Sequence, residues 1–354
     1  MPTLQQALHL GLWDDTTAAR EALLRAGADV DTAPTAREVE QYSRRLLRNQ
    51  RWVPGPEAAA ALDLVIGVRP DPVAQPRTYV GGFLRANAAL PWRHFCRELI
   101  ALQLIVRIAD HRYIEQHHHS LCGPVTFMHD IAKRTPRDYA AYVIGLAENR
   151  RGTLGGMTVK VRSGSALLGK RPNSTPGSPR IREADYIALA SLRDGSSILA
   201  YRSPFTSTML QGATSTADMV RWMSDTGYRQ VEDHSHINSW RLRGLLVKAH
   251  RTSVGQNSVA PHLNTMRQKR NAGHTIMMCA AGNLANTALG RGWRDDMTMR
   301  VFGSHFMLVN AVDVTADGAI FDLVTWGLDS SEQRVEIPWS KLASWYGGFV
   351  SGLP

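Results

Sequence analysis

Cysteine is scarce in this 354-residue chain, which has three: Cys96, Cys122 and Cys279. That count cannot build a disulfide framework; it fits a reducing compartment and one working thiol. Long apolar runs are missing. Hydrophobic residues make up 44% of the chain, yet no stretch is apolar enough to span a bilayer. Aromatics stand at 7% and do not interleave strongly with the densest basic stretches, 160–182 and 241–251. The net charge of +10 therefore reads as a solvated basic face rather than a nucleic-acid groove. Phosphate-cradling and dinucleotide glycine patterns are absent, as are HExxH and CxxC, so no cofactor or metal is expected. The run His117-His118-His119, with His234 and His236, is no exception, because adjacent histidines point in different directions and rarely share one ion. The first residues, MPTLQQALHLGLWDD, lack the basic start and apolar core of a usual signal peptide.

The length allows a sizeable core and suggests two domains. Pro70–Pro76, with three prolines, is the best linker, giving a helical N-terminal region over 1–76 and a second domain over 77–354. Phe95–Ile108 reads as an apolar helix. Cys122 to Leu146 reads as one or two helices, Gly152–Gly156 as a loop and Met157–Val161 as a strand. Ser163–Pro179 reads as a loop, and Asp185–Leu192, Ser215–Asp225, Trp240–Leu246 and Pro261–Asn271 as helices. Strands are expected at Ser197–Tyr201, His274–Ala280, Phe306–Val312, Ile320–Thr325 and Gln333–Ile337, with Ser340–Tyr346 as a terminal helix. Helices followed by a cluster of strands define an α+β layout.

The chemistry concentrates in two places. In Gln116-His117-His118-His119-Ser120-Leu121-Cys122-Gly123-Pro124 a polar run ends in a cysteine ahead of an apolar pattern of helical period. Proline suits the first turn of a helix, so Cys122 sits at a helix N-terminus, where the dipole favours the thiolate. Gln116, six residues upstream, carries an amide able to reach the oxygen of an attacked carbonyl. In Gly303-Ser304-His305-Phe306-Met307, His305 opens a buried strand; a turn at Asp317-Gly318 and a second strand follow, ending at Trp326-Gly327.

These blocks resemble the papain-like cysteine peptidases, the papain and calpain relatives. In that family a Gln lies six residues before a Cys that opens the central helix, and a His strand, a turn and a strand ending in Trp-Gly follow. The likeness covers these blocks and the chain between them, not the N-terminal region. It implies a papain-like fold: a helical subdomain carries the Cys at a helix N-terminus, an antiparallel sheet subdomain carries the His, and a helical extension precedes both. It also implies Cys122 as nucleophile, His305 as base, and Gln116 with the Cys122 N–H as oxyanion donors. The family's orienting Asn falls on Val324, which cannot accept a hydrogen bond. Thr325 and Asp322 are the candidates in its place, with Thr325 favoured.

The implied reaction is cleavage of a peptide or isopeptide bond in a protein target through a thioester. The same residues would serve a glutamine deamidase or acyl transferase. A non-catalytic binding protein on a degenerate peptidase fold is the alternative of another class. Peptidases of this sort resemble bacterial toxins and effectors. That analogy implies a protein made in the producer's cytoplasm and secreted or injected without a cleaved leader. A neutralising or delivery partner would go with it.

Overall fold

The computed structural model describes residues 111–116, 121–169, 181–196, 214–235, 240–242, 245–247, 256–281, 304–325 and 333–354, with further positions between 83 and 107 and Leu284. The expected region 1–76, the strand at Ser197–Tyr201, His117–His119, His236 and Trp326-Gly327 lie outside the described residues. The described residues fall into two compact units. One holds those up to Gln116 together with Ile131–Leu154 and Thr158–Thr206; the other holds those of His119–Asp130, Gly155–Met157 and Ser207–Pro354. Helices and antiparallel sheets together give an α+β protein.

In the first unit, α2 (Pro136–Asn149) opens with proline in its first turn and closes on Arg150 in the left-handed region. A hairpin follows, β1 (Arg151–Leu154) and β2 (Met157–Lys160). The loop expected over 152–156 is thus mostly strand: its two-residue burial alternation was hidden by glycines. The helix expected at Asp185–Leu192 is longer. It runs as Glu183–Asp185, a π turn Tyr186–Ala190, and Ser191–Ser196. Asp185 takes a bidentate, buried ion pair from Arg107, with Nε to Oδ1 at 2.6 Å and Nη2 to Oδ2 at 2.5 Å. Gln103 holds the start of this helix, donating through Nε2 to Glu183 Oε2 at 2.6 Å and accepting from the Ala184 N–H at 2.9 Å.

The second unit is organised around a six-stranded antiparallel sheet of order β3-β10-β6-β7-β8-β9. Its strands are β3 (Arg229–His234), β6 (Thr275–Ala281), β7 (Ser304–Val314), β8 (Gly318–Val324), β9 (Gln333–Pro338) and β10 (Tyr346–Leu353). A separate pair, β4 (Trp240–Leu242) and β5 (Leu245–Val247), replaces the helix expected at Trp240–Leu246. There the period-two spacing of Trp240 and Leu242 outweighs helical propensity.

β6 reads TIMMCAA and is buried at every position, because both of its faces are covered. On one face, Val259, Leu263 and Met266 of α4 (Gln256–Asn271) and Leu342 and Trp345 of α5 (Trp339–Trp345) join a core with Ile276, Met278, Met307, Val309, Phe321 and Leu323. Each such side chain removed from water contributes about 1.5–3 kcal/mol. On the other face lie α1 (Cys122–Arg134) and α3 (Thr216–Asp225), whose Phe127 and Trp222 rings are 5.7 Å apart. α3 begins as expected, with a capping box between Ser215 and Asp218.

The helix expected at Ser340–Tyr346 is present as α5 but is not the last element. α5 stops at Trp345, and β10 then enters the sheet between β3 and β6. β10 carries a register shift between Tyr346 and Gly348. Gly348 has φ +111°, and a Cβ on it would fall 2.4 Å from the His234 carbonyl oxygen, so only glycine fits this bulge.

Candidate active site

α1 starts where the Gly-Pro pair predicts. The Val125 N–H closes the first turn on the Leu121 carbonyl at 2.9 Å, so Cys122 and Gly123 are first-turn residues whose N–H groups have no acceptor within the helix. Cys122 is buried, 8% exposed, and forms no disulfide. One turn on, the Thr126 hydroxyl donates to the Phe306 carbonyl at 2.9 Å, both residues being buried. Two turns on, Asp130 accepts from the Thr275 hydroxyl at 3.1 Å and from the Tyr228 hydroxyl. The helix that begins with the cysteine is therefore pinned to β7 at Phe306, one residue beyond His305.

His305 is the second residue of β7, and its Nε2 lies 2.5 Å from Thr325 Oγ1. The register explains the contact. Leu308 pairs with Val324, so Thr325 is the diagonal neighbour of His305 on the same side of the sheet. Val324 is fully buried on the other side. Asp322 pairs with Ala311, six residues along β7 from His305, about 20 Å away at strand rise. Thr325 thus contacts the His305 ring, and Asp322 stands well along the strand from it.

His305 is 5% exposed, and burial pushes its pKa down to about 3. It stands in a row with Ala280 and Tyr346 across β7, β6 and β10. That row shares its face with Met307 and Val309, the face that α4 covers. Thr275, five residues before Ala280, points the opposite way, toward Asp130 of α1. His305 and α1 therefore lie on opposite faces of the sheet, and the Thr126–Phe306 bond ties α1 to β7 near the strand's start.

Gln116 belongs to the first unit, where it is 4% exposed with its Oε1 buried and unpartnered. A residue that sequence reasoning missed lies against the first turn of α1. Thr214, just before the Ser215 cap of α3, packs directly on Gly123. A Cβ on Gly123 would fall 2.2 Å from Thr214 Oγ1 and 2.4 Å from its Cβ. Nothing in the sequence links these positions, which are brought together by the packing of α1 against α3.

His234 stacks on Phe349 at 4.4 Å between ring centroids and binds Glu232 at 2.9 Å. Its place is in a stacked aromatic cluster with His262. Among the described residues no group of three or more histidines, cysteines or carboxylates could hold a metal ion, and no helix is long and apolar enough to cross a membrane. No protein-family model, curated protein or solved structure matches the chain.

Proposed function

We propose that this protein is a papain-like cysteine hydrolase that cleaves a peptide or isopeptide bond in a protein target. The observation that carries the reading is the 2.5 Å contact between His305 Nε2 and Thr325 Oγ1, which supplies an orienting group where the family residue is replaced by Val324. In the tautomer whose Nε2–H donates to Thr325, Nδ1 is the basic nitrogen. Cys122 at the first turn of α1, and the Thr126 bond that ties this helix to β7, support a nucleophile presented near that base.

In the reaction so read, the Cys122 sulfur adds to the carbonyl carbon and its proton passes to His305 Nδ1. The carbonyl π electrons move to oxygen. Collapse expels the amine, which takes the proton from His305, and leaves a thioester that water hydrolyses. Burial keeps the His305 imidazole neutral at rest, and on this reading it becomes charged only as the sulfur attacks. The reading requires the pair to meet round the end of the sheet rather than across its face. The papain-type arrangement of subdomains, delivery into another cell as a toxin or effector, and a neutralising partner all go with this reading. Deamidation of glutamine by the same residues differs in its product: the substrate gains one dalton instead of breaking into fragments.

One observation favours a second reading. An imidazole as fully buried as His305, with its conjugate acid at about 3, is a weak base, as expected of a binding protein on a degenerate peptidase fold. A peptide vinyl sulfone applied to the full-length protein separates the two. The hydrolase reading expects a covalent adduct at Cys122, absent from Cys122→Ala and much slower in His305→Ala. A folded wild-type protein that takes no label supports the binder.

A further inference from the structure

The Thr214 side chain lies where nothing in the fold requires a hydroxyl. It is 6% exposed, and its Oγ1 is buried without a hydrogen-bond partner. An unsatisfied buried hydroxyl costs about 1–3 kcal/mol, and a valine of the same shape would avoid the cost. The hydroxyl is aimed at the amino end of α1, a 13-residue helix, against Gly123. The fit between the two is mutual. Any side chain at position 123 would displace Thr214, so the Gly that follows the cysteine is what admits the hydroxyl to the first turn. Pro124 removes one N–H from that turn, and the Cys122 and Gly123 N–H groups have no acceptor within the helix. A buried hydroxyl held against Gly123 in the first turn, at the positive end of a helix, suits negative charge there.

We infer that Thr214 is an oxyanion donor: its Oγ1–H, with the first-turn N–H of α1, binds the oxygen of the carbonyl that Cys122 attacks. The inference rests on the hydrolase reading and adds to it a residue of the same compact unit. As the sulfur–carbon bond forms and the carbonyl π pair becomes an alkoxide, the Thr214 proton stays on Thr214 and only its hydrogen bond strengthens. When the tetrahedral species collapses, the carbonyl re-forms and the hydroxyl is released unchanged. The unsatisfied state in the resting protein is then the prepared state of the donor, whose partner appears only in the transition state.

Two reagents isolate this role. p-Nitrophenyl acetate acylates a thiol through a tetrahedral oxyanion, whereas iodoacetamide alkylates it without one. Rates at Cys122 are read by peptide mass spectrometry in the full-length wild-type, Thr214→Val and Thr214→Ser proteins, with Cys122→Ala as background. Thr214→Val should slow acylation on the order of a hundredfold, while alkylation stays within about twofold and Thr214→Ser acylates nearly as wild type. Because Val removes an unpartnered hydroxyl, its Tm should equal or exceed the wild-type value. A Thr214→Val protein that acylates normally, loses both reactions equally, or melts well below wild type overturns this inference alone. A wild-type protein whose Cys122 is alkylated but never acylated overturns the hydrolase reading, and this inference with it.

Discussion

The hydroxyl of Thr126 donates to the carbonyl of Phe306 across 180 residues of sequence, at 2.9 Å and away from solvent. It fixes the axial position of α1 against β7, and so the distance between the first residue of that helix and the second residue of that strand. Thr126→Val should cost about 1 kcal/mol, read as a lower urea midpoint, because the carbonyl stays buried and loses a donor. Cys122 labelling should slow more than that loss of stability explains, since the variant loosens the helix rather than unfolding the protein.

Asp130 holds the same helix two turns further on. Removing its carboxylate leaves two buried hydroxyls, Tyr228 and Thr275, without this acceptor. Asp130→Ala should therefore destabilise by several kcal/mol, at about 1–3 kcal/mol for each stranded group. Tyr228→Phe, which removes one donor and leaves the other satisfied, should cost far less. Equal costs in denaturant unfolding would show that Asp130 is not the shared acceptor.

Acid should weaken the fold through its buried histidines. His305 is pushed down to about 3 by burial, and His262 to about 4 by burial and then by the neighbouring His234. Each native pKa lies below the ordinary value near 6.5, so on acidification the unfolded chain takes the proton first. Stability is intact above about pH 6.5 and falls as pH drops toward 3. The slope is up to about 1.4 kcal/mol per pH unit for His305 and less for the part-exposed His262. Urea midpoints between pH 7.5 and 4.5 measure this slope, and His305→Gln should flatten it.

Two glycines can be compared directly. Gly348→Ala places a Cβ 2.4 Å from the His234 carbonyl oxygen at φ +111°, and should cost more than 2 kcal/mol, roughly the strain of a non-Gly residue in that region plus the clash. Gly164→Ala meets nothing within 4 Å and should be close to neutral. Thermal unfolding of the two variants gives the order.

How far the sequence reveals this molecule depends on what each segment buries. β6, β7 and β8 are readable because both faces of the sheet are covered and their apolar runs are nearly continuous. β10 is not. Tyr-Gly-Gly-Phe-Val-Ser-Gly-Leu carries three glycines, one demanded by the bulge at Gly348 and one by the close approach of Met223 to Gly352, so tertiary packing overrides a weak strand propensity. β3, Arg229–His234, is polar and half-exposed and gives no apolar signal at all. At the site, the sequence pointed to Thr325 through the failure of Val324 to accept a hydrogen bond. It could not remove Asp322, because that requires the register. Thr214 was invisible, since only the packing of two helix starts brings it to Gly123.

The central claim is that the Cys122 sulfur and the His305 ring act as a couple. Its most direct test is the second-order rate of iodoacetamide alkylation at Cys122, followed by mass spectrometry from pH 5 to 9 in wild type and His305→Ala. A working couple predicts that wild type at pH 6 reacts at least about tenfold faster than His305→Ala, whose rate should follow the titration of an unassisted thiol. Superimposable profiles in two folded proteins would contradict the account.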